Sequence, residues 1–238
     1  MAKNGGFWRF ARRLVGWTLA LACLALFLVQ AWYFAHVIWW AGHEPAASAF
    51  MDARLAAMQD KNPKARLSHQ YVGYERISAH LKRAVVSSED ARFLEHEGFD
   101  WPAIQKALER NEKKGKVVAG GSTISQQLAK NLLLSGSRSL IRKGQEAAIT
   151  WMIEATYSKH RILELYLNYA EWGEGVFGAE AAARYHFGTS AASLTASQAA
   201  YLAAILPAPR RYPPARITPY IASRVNTILA RMPSAQIP

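Results

Sequence analysis

The feature that most constrains this chain is a long apolar run near its amino terminus, from Leu14 to Ala41. Within the run only Gln30 and His36 are clearly polar. A helix needs about 20 apolar residues to cross the hydrocarbon core of a bilayer. The apolar part of a cleaved secretory signal is usually only about 7–15 residues long. The run therefore predicts a transmembrane helix over 14–41, in preference to a cleaved signal or a buried core helix.

Charged and aromatic residues on the two sides of this run indicate its orientation. The flanking basic residues precede it: Lys3, Arg9, Arg12 and Arg13. Aromatic residues crowd its far end, as in an interfacial belt: Trp32, Tyr33, Trp39 and Trp40. Because basic flanks tend to stay in the cytoplasm, we expect a cytoplasmic tail over 1–13 and export of everything after the helix. The exported part would comprise a lead-in over 42–76 and one domain over 77–238.

The charge balance points to an anionic partner. Lys and Arg number 29 against 17 Asp and Glu, which gives a formal net charge of +12. Acidic lipid, a phosphorylated substrate or nucleic acid would each fit such a surface, and the expected export argues against nucleic acid. The single cysteine, Cys23, excludes an intrachain disulfide and a Cys-based metal cluster.

The periodicity of the exported part is helical from Ser78 nearly to the end, which predicts an all-α domain. Thr123 with Gln126, and Thr195 with Gln198, have the spacing of a capping box. The pattern also predicts helices over about 139–157 and 220–231. A short strand over 69–74 is a weaker prediction.

The first chemically promising segment is the end of an apolar helix face at Glu89 and Asp90. A carboxylate there, next to aromatic residues, is a candidate general base or acid because desolvation raises its basicity. A solvated helix end is the alternative. His96, taken alone, reads as a structural histidine.

The second segment is a glycine pair, Gly120-Gly121, that leads into a helix start. Free backbone N–H groups and the positive end of a helix dipole suit an anion. A polar stripe follows on one helix face: Thr123, Gln126, Gln127 and Lys130. The alternative interpretation is the solvent-exposed face of an ordinary amphipathic helix.

The third segment carries Arg142, Lys143 and Glu146, with Arg138 just before them. The spacing fits a surface salt bridge of a few tenths of a kcal/mol. It equally fits a cationic clamp for phosphate oxygens, with a carboxylate held among the cations.

Together and in this order, the segments resemble the bacterial peptidoglycan glycosyltransferases of glycosyltransferase family 51. The matching pieces are Glu89-Asp90-x-x-Phe93-x-x-His96-x-Gly98, Gly121-Ser122-Thr123-Ile124-x-Gln126-Gln127, Arg142-Lys143-x-x-Glu146 and Arg161-Ile162-Leu163-Glu164-x-Tyr166-Leu167-Asn168. The stretch over 170–180 looks like the monofunctional, single-domain members. Gln198 departs from the glutamate that many relatives carry.

The resemblance implies a lysozyme-like α-helical fold whose hydrophobic part dips into the membrane near the cleft. It implies polymerisation of lipid II by inverting transfer, with formation of β-1,4 linkages, release of undecaprenyl pyrophosphate and assistance from a divalent metal, Mg²⁺. The implied partners are lipid II, the growing glycan strand, the membrane and other cell-wall synthesis or division proteins. The implied location is a bacterial inner membrane.

Carried over by position, the resemblance implies that Glu89 is the catalytic base. Glu146 would be the second functional carboxylate and a candidate metal ligand. The leaving-group clamp would comprise Lys130, Arg138 and Arg142, and the sugar- or phosphate-positioning groups would be Ser122, Gln126 and Gln127. Thr123 and Lys143 would also belong to the substrate-binding residues. Asp90, His96, Glu164 and Asn168 would be scaffolding. The alternatives are a lysozyme-like cell-wall hydrolase and a non-enzymatic anchored partner of the cell-wall machinery.

Overall fold

The computed structural model describes residues 4–116, 120–134, 139–214 and 217–238. The chain divides into two compact units, Met1–His43 and Glu44–Pro238. The first unit is one helix, α1 (Asn4–Gly42). Its segment Gly6–Gly42 is long and apolar enough to cross a membrane. The helix begins ten residues before the predicted start at Leu14, because the basic and aromatic flank continues the same helix.

Helices make up most of the second unit. In the described residues they are α2 (Ala49–Gln59), α3 (Ala79–Glu89), α4 (Trp101–Lys114), α5 (Ile124–Leu133), α6 (Leu140–Thr156), α7 (Lys159–Tyr169), α8 (Ala179–Phe187), α9 (Ala196–Ile205) and α10 (Pro219–Arg231). The expected all-α class is confirmed. The expected helices over 139–157 and 220–231 correspond to α6 and α10, each within two residues at either end.

Side-chain caps explain where most of these helices start. A Ser, Thr or Asp side chain accepts a backbone N–H in the first turn of every helix of the second unit except α8: Ser48, Ser78, Asp100, Thr123, Ser139, Ser158, Thr195 and Thr218. Such caps satisfy backbone donors that have no partner within the helix. Both expected capping boxes, at Thr123 and at Thr195, are present.

The core is built around the alanine-rich helix α9, which packs against α3 and α10. A second group forms around α5, which packs against α6 and α7. The small side chains of α9 allow close helix approach, and Leu202 and Ile205 are fully buried there. The end of α3 meets the start of α5 where Asp90 accepts a hydrogen bond from the backbone N–H of Ile124.

A small sheet accompanies the helices in the described part of the second unit. It consists of β1 (Ser68–His69), β2 (Glu171–Gly173) and β3 (Val176–Phe177), in the order β1-β3-β2. β1 pairs in parallel with β3, and β2 pairs with β3 in antiparallel. The strand expected over 69–74 is wrong beyond His69, since Tyr74–Arg76 forms a 3-10 turn.

Candidate active site

Glu89 is the last residue of α3, and it lines a cavity of about 330 Å³. Gln127 Nε2 donates to its Oε2 atom at 3.0 Å, and the Ser88 hydroxyl donates to its Oε1 atom at 3.5 Å. Burial raises the pKa of the Glu89 carboxyl, although the hydrogen bond from Gln127 and the charge of Arg224 oppose that rise. A carboxylate in this environment is a better proton acceptor than an exposed one.

The neighbouring residues Asp90 and His96 hold the first segment against the second. Asp90 Oδ1 lies 2.9 Å from His96 Nε2, and Asp90 Oδ2 accepts from the backbone N–H of Ile124 at 3.0 Å. The N–H of Gly98 donates to His96 Nδ1 at 3.1 Å. Because Nδ1 accepts, Nε2 carries the proton that is donated to Asp90. These contacts agree with the scaffolding expected of both side chains.

Gly98 and Thr123 make a second link between the same segments. The Thr123 hydroxyl donates to the carbonyl of Gly98 at 2.7 Å. Gly98 has a φ of +89°, and a Cβ atom there would lie 2.8 Å from Thr150 Cγ2, so a side chain cannot be added without displacement. The link therefore depends on glycine at this position.

The polar stripe at the start of α5 combines helix capping with the lining of cavities. Thr123 and Gln126 are buried and form the capping box. Thr123 also lines the cavity of Glu89, and Gln126 lines a smaller cavity together with Ser122 and Lys143, so the assignment of both to substrate binding stays a prediction. Ser122 is exposed and lines the cavity of Glu89, while Gln127 and Lys130 line a second cavity.

Three described cations lie around the buried carboxylate of Glu146. Arg142 Nη1 donates to its Oε2 atom at 2.7 Å, and Lys143 Nζ contacts its Oε1 atom. Burial lowers the pKa of Lys130; Glu146 and Glu89 oppose the change, and Arg142 and Lys143 reinforce it. The structure thus brings Lys130 and the third segment into one electrostatic group near Glu89. Arg138, expected in the same clamp, lies outside the described residues.

The second cavity has a volume of about 780 Å³ and is rich in cations. Besides Gln127 and Lys130, it is lined by Arg54, Arg210 and Arg211, and by Glu171, which forms an ion pair with Arg54. Gln127 separates it from Glu89, since the amide donates to the carboxylate and also faces this cavity. The cation-rich cavity therefore lies on the far side of Gln127 from the Glu89 carboxylate, whose pKa is raised.

Two residues near Glu89 were not recognised from the sequence. Arg224 of α10 donates from Nη2 to the Ser88 hydroxyl at 3.4 Å, and its charge lowers the pKa of Glu89. The Tyr166 hydroxyl donates to Gln127 Oε1 at 3.0 Å, although the sequence gave Tyr166 no role beyond its place in the fourth matching segment. For Arg224 the sequence offers no signal beyond a cation on an amphipathic helix.

The fourth segment anchors α7 to the chain before α3. Glu164 Oε1 accepts from the backbone N–H of Tyr74 at 2.9 Å, and Glu164 Oε2 accepts from Arg161 at 2.7 Å. Asn168 exchanges two hydrogen bonds with the backbone of Val72, at 3.0 and 2.9 Å. These contacts agree with the structural role expected of Glu164 and Asn168.

The described residues do not by themselves build a magnesium site. Among them, no group of three His, Cys, Asp or Glu side chains is arranged to hold a metal ion. Both carboxylate oxygens of Glu146 are bonded to cations. A protein usually gives Mg²⁺ one or two carboxylates beside phosphate oxygens, and the cations around Glu146 would repel it. Dependence on a divalent metal therefore stays a prediction.

Comparison with known proteins identifies the family of the chain. The model of the transglycosylase family, Transgly, matches residues 55–233. The chain therefore belongs to the transglycosylase family.

Individual relatives make the assignment more specific. The chain is 54% identical to the biosynthetic peptidoglycan transglycosylase of Herminiimonas arsenicoxydans over 230 residues, which is 97% of this chain and 100% of the relative. It is 57% identical to the protein of that name in Methylobacillus flagellatus, covering 92% of this chain and 96% of the relative. For the one in Azoarcus sp. the identity is 56%, covering 95% and 97%.

Proposed function

We propose that the chain lengthens peptidoglycan strands from lipid II, with Glu89 as the general base of the transfer. The observation that carries the proposal is the place of Glu89, a carboxylate of raised pKa between its own cavity and a cation-rich one. The family and its relatives make the chain a peptidoglycan transglycosylase, and they do not favour a lytic enzyme.

In this proposal the reaction is a single displacement. Glu89 takes the proton of the acceptor sugar hydroxyl, whose oxygen forms a bond to the anomeric carbon of the donor. The bond from that carbon to the pyrophosphate oxygen breaks, and its electron pair leaves with undecaprenyl pyrophosphate. Attack opposite the leaving group inverts the anomeric centre and gives the β-1,4 linkage. The raised pKa of Glu89 brings the base closer to the pH at which it must act.

A pyrophosphate leaving group needs neutralisation of its charge and not a proton. Lys130, Arg142 and Lys143 supply fixed positive charge for this purpose, and Arg138 is assigned to the same clamp from the sequence. Burial of Lys130 strengthens its interaction with a phosphate because less water screens it. Glu146 holds Arg142 and Lys143 in place. No step in this scheme requires a metal ion held by the protein.

A lysozyme-like hydrolase would need a different arrangement. Glycosidases use two carboxyl groups that flank the bond to be broken, one of them as an acid. Next to Glu89, both oxygens of Asp90 are occupied by His96 and by the N–H of Ile124. Both oxygens of Glu146 are paired with cations. Neither carboxylate is placed as a proton donor.

The membrane supplies the lipid-linked substrate. α1 is long and apolar enough to anchor the chain as a single span, and we assign it to a bacterial inner membrane with the amino terminus in the cytoplasm. At the start of α6, Leu140 and Ile141 are 91% and 87% exposed. Apolar side chains this exposed, two and three residues after the clamp residue Arg138, suit contact with lipid. Contacts with other cell-wall synthesis or division proteins stay a prediction.

The test is a polymerisation assay with the full chain in detergent, fluorescent lipid II and divalent metal, and products separated by size. We expect a ladder of longer glycan from the wild type. Glu89→Gln should still bind lipid II but lose about 10²-fold or more of its turnover. Unchanged turnover by Glu89→Gln would refute the assignment of the base. Shortening of preformed glycan, with no ladder, would favour the hydrolase.

A further inference from the structure

Gln127 stands between Glu89 and Tyr166 and is hydrogen-bonded to both. Its Nε2 atom donates to Glu89 Oε2, and its Oε1 atom accepts from the Tyr166 hydroxyl, each at 3.0 Å. Tyr166 belongs to α7 and is 1% exposed. Burial raises the pKa of Tyr166 well above its ordinary value, so the hydroxyl keeps its proton and remains a donor.

The two ends of the Gln127 amide have opposite hydrogen-bonding character. An ionised Glu89 only accepts, so it requires the Nε2 end of the amide. The Oε1 end then faces Tyr166 and requires a donor, because even a half-buried acceptor is less favourable without one. The phenol hydroxyl is that donor, and a phenylalanine of the same shape would not be. Tyr166 thereby selects the amide orientation that an ionised Glu89 needs.

We propose that Tyr166 is a positioning residue of the transfer, which acts through Gln127 to hold an amide N–H against the carboxylate of Glu89. The inference rests on the proposed function, in which an ionised Glu89 takes the proton of the acceptor hydroxyl. It gives Gln127 the task of orienting the base, in place of the sugar or phosphate contact suggested by the sequence.

Removal of the Tyr166 hydroxyl should change the pH dependence of the reaction. Without its donor, the Gln127 amide holds Glu89 less firmly, and the pKa of Glu89 rises. Because the base acts only when ionised, the acid limb of the kcat profile moves to higher pH. The loss of one such bond corresponds to about half to one pH unit, or ~3- to 10-fold in turnover below the limb. Well above the limb, turnover should approach that of the wild type.

Tyr169 provides a matched control on the same helix. It is also fully buried, and its hydroxyl donates to the carbonyl of Pro45, not to Gln127. Tyr166→Phe and Tyr169→Phe therefore each remove one buried hydroxyl and one hydrogen bond from α7. We expect the acid limb to move in Tyr166→Phe and to stay in place in Tyr169→Phe. The full chain would be measured with lipid II, kcat and KM would be separated at each pH, and thermal unfolding would be recorded.

Two further variants test the route through Gln127. In a Gln127→Met background, Tyr166→Phe should add no further shift of the acid limb, because the connecting amide is gone. Site-specific 3-fluorotyrosine at position 166 keeps the hydroxyl and makes it a stronger donor, so the acid limb should move to lower pH. The fluorotyrosine variant also tests the inference if Tyr166→Phe does not fold.

The outcomes separate this inference from the proposed function. A uniform loss of kcat at every pH, or an equal shift in Tyr169→Phe, would show that the Tyr166 hydroxyl is only structural. A full shift of the limb in the Gln127→Met background would overturn the route through the amide. If the wild type makes glycan and Glu89→Gln does not, such results refute the inference alone. If the wild type makes no glycan, the proposed function is refuted, and so is the inference that rests on it.

Discussion

The carboxylate of Asp90 accepts a hydrogen bond from the backbone N–H of Ile124 at 3.0 Å, which joins residues 34 positions apart in the chain. The same carboxylate lies 2.9 Å from His96 Nε2. Asp90 thus ties the end of α3, which carries Glu89, to the start of α5, which carries Gln127. The geometry of the candidate base depends on this connection.

Replacement of Asp90 by alanine should therefore destabilise the protein and impair turnover. The Ile124 N–H and the His96 Nε2–H would both lose a buried acceptor, which costs about 2–4 kcal/mol in free energy of unfolding. In a domain of this size that corresponds to a fall in Tm of roughly 5–15 °C. The matched control is Glu95→Ala, which breaks only an exposed ion pair with Arg92 and should leave Tm nearly unchanged. Equal Tm values for the two variants would contradict the role given to Asp90.

The positive charge of Arg224 should influence the pKa of the candidate base, Glu89. Because that charge lowers the pKa of Glu89, Arg224→Met should raise it. The acid limb of the kcat profile would then move to higher pH, by up to about one unit. Arg231→Met, on the same helix but exposed, should leave the limb in place. An acid limb that does not move in Arg224→Met would show that its charge does not reach Glu89 in solution.

Lys130→Met should separate function from stability. Burial lowers the pKa of Lys130, so its charged form is less favourable in the folded than in the unfolded protein. Near neutral pH, below the unfolded pKa, that charge opposes folding, and the penalty disappears as pH rises through the lowered pKa toward the unfolded value. We expect the Tm of Lys130→Met to equal or exceed that of the wild type near neutral pH.

Turnover of lipid II by the same variant should fall by about 10²-fold, because a donor to the leaving group is lost. Lys113→Met on α4, where the side chain is exposed, should change neither quantity. A fall in Tm that parallels the loss of turnover would assign Lys130 to the scaffold.

Chelation tests the predicted dependence of turnover on a divalent metal. The resemblance predicts that turnover falls with a chelator and returns with added Mg²⁺. Since Glu146 is already paired with cations, we expect Glu146→Gln to leave the half-saturating Mg²⁺ concentration unchanged, although its Tm should fall as the buried pairs are broken. A large rise in that concentration would instead make Glu146 a metal ligand.

Local patterns in the sequence were sufficient for much of the fold. The apolar run predicted α1, and threonine followed three residues later by glutamine predicted the starts of α5 and α9. These features depend on residues within one or two helical turns, so spacing alone carries the information. The order of the charged segments likewise indicated the family, which the comparisons confirm. The expected strand over 69–74 failed after His69 because its pairing depends on β3, far along the chain.

Only the tertiary structure decided how the site is assembled. The links from Tyr166 to Gln127 and from Arg224 to Ser88 span 39 and 136 residues, and no periodicity indicates which distant side chains will meet. The degree of burial could not be predicted from the sequence either: burial makes Glu89 more basic and Lys130 less basic. The sequence by itself determined which chemical groups are present and where helices begin. Helix packing determined which of those groups lie in contact, and how far water is excluded from them.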